Sequence, residues 1–242
     1  MSDKITPLLA PTPLPRRTFL RAASVTAATS ALLLAGCGDD DSPTPAPATP
    51  TLFYNNNVAA TSANVAVSNY LYSLHQLTLA FYQQIVAAFP AGMSAAEQET
   101  FTDLRDHELI YTEAYKYILG SNAIPTLMFS FTTLTLTTRT GVLAAAKQFE
   151  DLTVAAYNDA VARFTLDTTG AEYLLFTGKI ASVKARHAAY VRDLETPGSF
   201  AGADIIVGSG DLAGLGATLT PSAVVTPLAP YFTVAVSTDI FA

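Results

Sequence analysis

Apolar residues recur at helical spacing in four long runs between about residues 63 and 195. The first, from about Ala63 to Phe89, sets Val67, Leu71, Leu74, Thr78, Phe81 and Ile85 three and four apart, and Pro90 stops it. The second starts at Ser94, where "SAAE" makes a capping box with Glu97, and ends at Gly120 after "YKYILG". The third spans about Thr140 to Phe164. The fourth opens on a second expected capping box, "TGAE" from Thr169 to Glu172, and runs to Glu195 before Pro197 and Gly198.

The connections are unequal. Residues 121–138, "SNAIPTLMFSFTTLTLTT", are rich in threonine and aromatics, and no charged residue lies between Lys116 and Arg139. Helix connections in bundles are usually only about 2–8 residues long, so this stretch predicts an extended crossover lying on the protein. One long crossover between the second and third helices, flanked by two short loops, is the connectivity of ferritin-like bundles rather than of up-and-down ones. The expected fold class is all-α: a ferritin-like four-helix bundle over 63–195, followed by an irregular, apolar, Gly/Pro-rich extension over 196–242. In that extension Pro221, Pro227 and Pro230 break up a run apolar enough to suggest a membrane span, which predicts an arm docked on the bundle or on a partner. "YFTVAVSTDIF" has room for one short strand. The glycines of "GADIIVGSGDLAGLG" lack the strand-then-helix context of a phosphate loop and read as a turn-rich arm.

The N-terminal stretch is read separately. "LPRRTFLRAASVTAATSALLLAGC" has paired arginines, Arg16 and Arg17, a short apolar run and a small-residue exit, so residues 1–36 are expected to be an export signal that resembles the twin-arginine type. The sole cysteine, Cys37, ends a "LAGC" tetrapeptide similar to a lipoprotein cleavage site, which implies a lipidated Cys37 and membrane contact through that lipid. Residues 37–62, acidic and Pro/Thr-rich, read as a tether. The expected location is therefore the cell envelope, lipid-anchored on the periplasmic or outer face. A single cysteine allows no internal disulfide, so stability must come from packing. Without residues 1–36, which carry +3, the whole-chain charge of −7 becomes −10, and this argues against nucleic acid as a partner.

Four segments carry a more specific likeness: "LYSLHQLTLAFY" at 71–82, "LRDHELIY" at 104–111, "KQFEDLTVAAYNDA" at 147–160 and "SVKARHAAYV" at 182–191. They resemble the bundle helices of an exported bacterial ferritin-like family of the desiccation-related type, and "TPSAVVTPLAPYF" is similar to that family's C-terminal extension. Ferritin-like di-iron sites take one Glu from each of two helices and a Glu-x-x-His pair from each of the other two. Carried onto this chain, the six positions are His75, Glu108, Tyr111, Glu150, Lys184 and His187. Three keep the expected residue type. His75 stands for a Glu, Tyr111 for a His, and Lys184 for a Glu that would bridge both metals.

Two readings follow. Buried Glu108 and Glu150 need a counter-charge, and Lys184 can supply it, with His75, Tyr111 and His187 completing hydrogen bonds. On this reading the centre takes no cofactor, and the protein is a non-catalytic, lipid-anchored envelope protein that the resemblance links to stress or desiccation. Alternatively, His75, Glu108, Glu150 and His187 hold a single Fe, Mn or Zn ion, and the protein is a mononuclear metal binder or ferroxidase-like member. A second copy of the chain, met through the bundle faces or the extension, is a further expected partner. His107, next to Glu108, points about 100° away on the helix and reads as an outer or surface group. Tyr82 and Tyr157 read as core aromatics with bonded hydroxyls.

Overall fold

A computed structural model describes residues 51–55 and 62–242. The expected signal, Cys37 and most of the tether lie outside the described residues. Four helices form the bundle: α1 Ala63–Ala87, α2 Ala95–Leu119, α3 Arg139–Ala160 and α4 Thr168–Glu195. Helices α1 and α2 pack as one hairpin and α3 and α4 as the other, and the long connection between them runs over α1.

Local chemistry explains the helix ends. Ser94 accepts from Glu97 N while Glu97 Oε2 accepts from Ser94 N at 2.8 Å, so the capping box at the start of α2 is complete. Glu97 also receives Arg139 Nε at 2.8 Å, and Arg139 donates to Leu194 O at 3.0 Å, which joins one end of α2, α3 and α4. The start of α4 differs from the "TGAE" expectation. Asp167 is the cap, accepting from Gly170 N at 2.7 Å and from Thr165 Oγ1 at 2.8 Å. A carboxylate satisfies the first-turn amides and favours the positive end of the helix dipole more strongly than a threonine hydroxyl, so the helix begins earlier, at Thr168. Gly170 is required there, because a Cβ would come within 1.9 Å of Thr165 O. Helix α3 ends at Ala160 rather than near Phe164, although Phe164 remains buried and its ring stacks on Tyr173.

Helix α1 is buried on nearly every side, polar residues included. Asn69 donates to Tyr54 O at 3.0 Å and Asn122 O at 2.9 Å and accepts from Ile124 N at 2.9 Å. Gln76 accepts from Leu127 N at 2.8 Å. These side chains satisfy backbone groups of the crossover and of Tyr54 that no helix or sheet would otherwise pair.

The extension is more regular than expected. Helix α5, Pro221–Leu228, starts with Pro221 in the first turn, where a missing N–H is harmless, and buries Val224, Val225 and Leu228 against α3. Tyr231 O then accepts from Ser130 N at 2.9 Å, and Phe232 meets Phe129 edge-on at 5.2 Å, so the extension runs along the crossover. Strand β2, Ala235–Ser237, lies in the segment expected to hold one and pairs in parallel with β1, Thr51–Phe53, Leu52 facing Val236. The end of the expected tether is therefore docked. Its alternating Leu52 and Tyr54 are buried, and Tyr54 packs with Tyr70 and Phe241 at 5.6–5.7 Å. The glycine-rich arm folds back on itself through an Ile206 to Gly216 bridge, with Gly210 and Gly214 at positive φ. Buried Arg192 fastens this arm by pairing with Asp151 at 2.9 Å and with Asp204. No described helix is long and apolar enough to cross a membrane.

Candidate functional site

Each bundle helix sends at least one polar side chain to a common point: His75 from α1, Glu108 from α2, Glu150 from α3, and Lys184 with His187 from α4. Lys184 and His187 are three residues apart and therefore share a helix face, while Arg186 between them is exposed. Lys184, Glu108, Glu150 and His75 are all 0% exposed.

Lys184 Nζ donates to Glu108 Oε1 at 2.6 Å and lies 2.5 Å from Glu150 Oε2. The second contact is close but off the angle of a hydrogen bond, so Glu150 Oε2 has no hydrogen-bond donor. Glu150 Oε1, by contrast, accepts from Tyr82 OH at 2.8 Å. Glu108 Oε2 meets His75 Nδ1 at 2.6 Å, His75 Nε2 meets Tyr157 OH at 2.6 Å, and Tyr157 OH meets Tyr115 OH at 2.9 Å. One proton order satisfies every member. Tyr115 donates to Tyr157, Tyr157 to His75, and His75, neutral with its proton on Nδ1, to Glu108.

Burial is the largest influence on each group, and its neighbours decide the outcome. Burial lowers the His75 pKa, only partly offset by Glu108, so the imidazole is neutral as that order requires. Burial would raise Glu108, but Lys184 and His75 outweigh it and hold this carboxyl below the usual range. For Glu150 burial wins, with repulsion from Glu108 adding to it against Lys184, and the carboxyl is pushed up to about 7. Burial alone would also discharge Lys184. The two carboxylates reverse that and raise its pKa, so the ammonium persists.

The remaining expected positions sit at the edge of this cluster. Tyr111 meets it through its ring, edge-on to His75 at 5.4 Å, rather than through the hydrogen bond expected of it. His187 stacks parallel to His107 with ring centroids 5.1 Å apart, and its Nε2 lies 3.0 Å from His107 Nδ1. His187 Nδ1 is buried without a partner. Burial, then the charge of Lys184, holds the His187 pKa down to about 3, so this ring too is neutral.

Glu108, Glu150 and His187 each bring one ligand atom within 4.8 Å of the others and form a buried group that could hold a metal ion. The full donor set does not fit a di-iron centre. An ammonium touches both carboxylates where bridging oxygens would be needed, and only two carboxylates are present to balance two metal cations.

The sequence reading did not assign Tyr82, Tyr115 and Tyr157 to this cluster. A signal was available, because they follow His75, Glu108 and Glu150 by seven residues each, two helical turns along the same face. The His107 to His187 contact was not foreseen. An exposed side chain one residue off the inward face can still reach across to the next helix.

Comparison with known sequences bears on the same residues. The model of the family described as "Ferritin-like domain" matches residues 63–197, which takes in all four bundle helices and every residue of the buried cluster. No curated protein matches the chain.

Proposed function

The chain belongs to the ferritin-like domain family, and from that premise we propose that it is a non-catalytic member whose di-iron centre has been replaced by a Lys–Glu network. One observation carries the reading: Lys184 Nζ lies 2.6 Å from Glu108 and 2.5 Å from Glu150, at the point where all four helices converge. In a ferritin-like site the cations that neutralise inward carboxylates come from outside. Here the chain supplies its own cation, and the bundle closes around it without waiting for metal.

With the export signal and Cys37, this makes the protein a lipid-anchored envelope protein, presented on the periplasmic or outer face by the tether. Its role is structural or protective, and the stress association rests on the resemblance to desiccation-related members. The net charge outside the signal keeps it off nucleic acid and off anionic headgroups.

A single-ion reading draws on a different observation. His187 Nδ1 is buried without a partner beside Glu108 and Glu150, and these three would hold one Fe, Mn or Zn ion if Lys184 swung away. Metal content separates the two. The full chain, produced in medium supplemented with iron, manganese and zinc and then measured by mass spectrometry, is expected to carry well under one ion per chain. Stoichiometric metal that disappears in Glu150→Ala would overturn the ion-pair reading.

A further inference from the structure

The two contacts of Lys184 are not equivalent. Towards Glu108 it makes a directed hydrogen bond. Towards Glu150 it makes a 2.5 Å contact with an oxygen that no hydrogen bond holds, while the other oxygen of that carboxyl receives the Tyr82 hydroxyl. This is the arrangement of an amine, a proton acceptor beside it, and a carboxyl group with one oxygen polarised by a donor and the other free to leave.

We propose that Lys184 and Glu150 condense into an internal amide that covalently joins α3 to α4. The inference rests on the reading that Lys184 occupies the centre of the bundle. Water ordinarily disfavours this condensation, since a hydrated ammonium and carboxylate are both more stable apart. Here all the participants are fully buried. The resting pair is ionised, so transfer of the proton to Glu108 is an uphill first step, and the neutral amine it leaves meets no water that would compete with Glu150 for it. Glu108 takes a proton from the Lys184 ammonium. The freed Nζ lone pair attacks Cδ of Glu150, whose Oε1 becomes the oxyanion and is stabilised by the Tyr82 O–H. Glu108 passes that proton to Oε2 and then carries a second one from the attacking nitrogen to the same oxygen. The Cδ–Oε2 bond breaks, one water leaves, and Glu108 ends as the carboxylate it began as. The N–C bond formed and the C–O bond broken balance with that water, and no oxidant or reductant is needed.

Position supplies the driving force. Groups held in contact behave as if present at effective concentrations of about 10⁵ to 10⁸ M, and a site closed to water slows hydrolysis of the product. His75, fixed by Tyr157, keeps Glu108 aimed at the amine and remains its hydrogen-bond partner after the amide has closed. His75 and Tyr157 are thus positioning residues, whereas Glu108 and Tyr82 touch the reacting groups. The bond would tie positions 34 residues apart in a chain whose single cysteine forbids an internal disulfide.

Peptide mass spectrometry of the full chain, unfolded and digested with trypsin, tests this directly. Cleavage after Lys147, Arg163, Lys179, Lys184 and Arg186 would give linear peptides 148–163 and 180–184 from an unjoined chain. The expected result is a branched species of 148–163 with 180–186, uncut at Lys184 and lighter than the two together by one water. Glu108→Gln, folded by circular dichroism, is expected to return the linear peptides. A folded, metal-free wild-type chain that yields only linear peptides would overturn the amide and leave the ion-pair reading standing. A linear chain carrying stoichiometric metal would overturn both. Branching that persists fully in Glu108→Gln would refute the role given to Glu108.

Discussion

Lys184 Nζ and Glu108 Oε1 lie 2.6 Å apart, and neither side chain is exposed to solvent. An ion pair so deep in a bundle is costly in desolvation and contributes stability only relative to leaving one partner alone. It is tolerable here because Glu108 is further satisfied by His75, and His75 by Tyr157 and, through it, Tyr115.

Removing the cation should therefore cost more than removing the charges together. Lys184→Met leaves two buried carboxylates without a counter-charge, and urea unfolding should show a loss of about 3–5 kcal/mol. Adding Glu108→Gln and Glu150→Gln to that variant should make it more stable than Lys184→Met alone. A triple variant less stable than the single one would show that the carboxylates matter for something other than pairing with Lys184.

The pH dependence should carry the mark of His187. Its folded pKa is held down to about 3, whereas an unfolded histidine titrates near 6.5. Between those values the unfolded chain takes up a proton that the folded chain refuses, so the contribution of this residue is present above about 6.5 and is lost as pH falls. Thermal melting followed from pH 7 down to 4 should therefore show His187→Gln losing less stability than the wild type, with the gap growing as pH drops. Parallel curves would mean that His187 is solvated.

Arg192 should govern the arm rather than the bundle. It is 1% exposed and holds Asp151 of α3 together with Asp204 of the arm. Arg192→Met frees the arm, and limited proteolysis between Phe200 and Leu219 should speed up tenfold or more, the rate change for a local loss of about 1.4 kcal/mol. Cleavage at the wild-type rate would mean that other contacts hold the arm down.

The four helices, their short loops and the long crossover could be read from the chain because each rests on signals a few residues apart: apolar periodicity, Pro90, and Ser94 with Glu97. The resemblance pointed to six positions, and with them to the substitution of Lys184 for a carboxylate. Errors arose where two local signals competed, as at the start of α4, where Asp167 outranked Thr169, and where partners were distant in sequence. Nothing near Thr51 announces β2, nothing near Arg192 announces Asp204, and the seven-residue spacing of Tyr115 from Glu108 places it on the same face without saying that its hydroxyl will meet Tyr157.

By itself, the sequence determined which side chains face the bundle interior, since a helix repeats its faces every three to four residues whatever it packs against. Only the tertiary structure decided what those side chains do there. Ångström differences in contact make Lys184 a hydrogen-bond donor to Glu108 and a close neighbour of an unpartnered Glu150 oxygen, and burial on all sides sets their proton affinities. Interactions between charges depend on distance and on the exclusion of water, and both are properties of the folded chain.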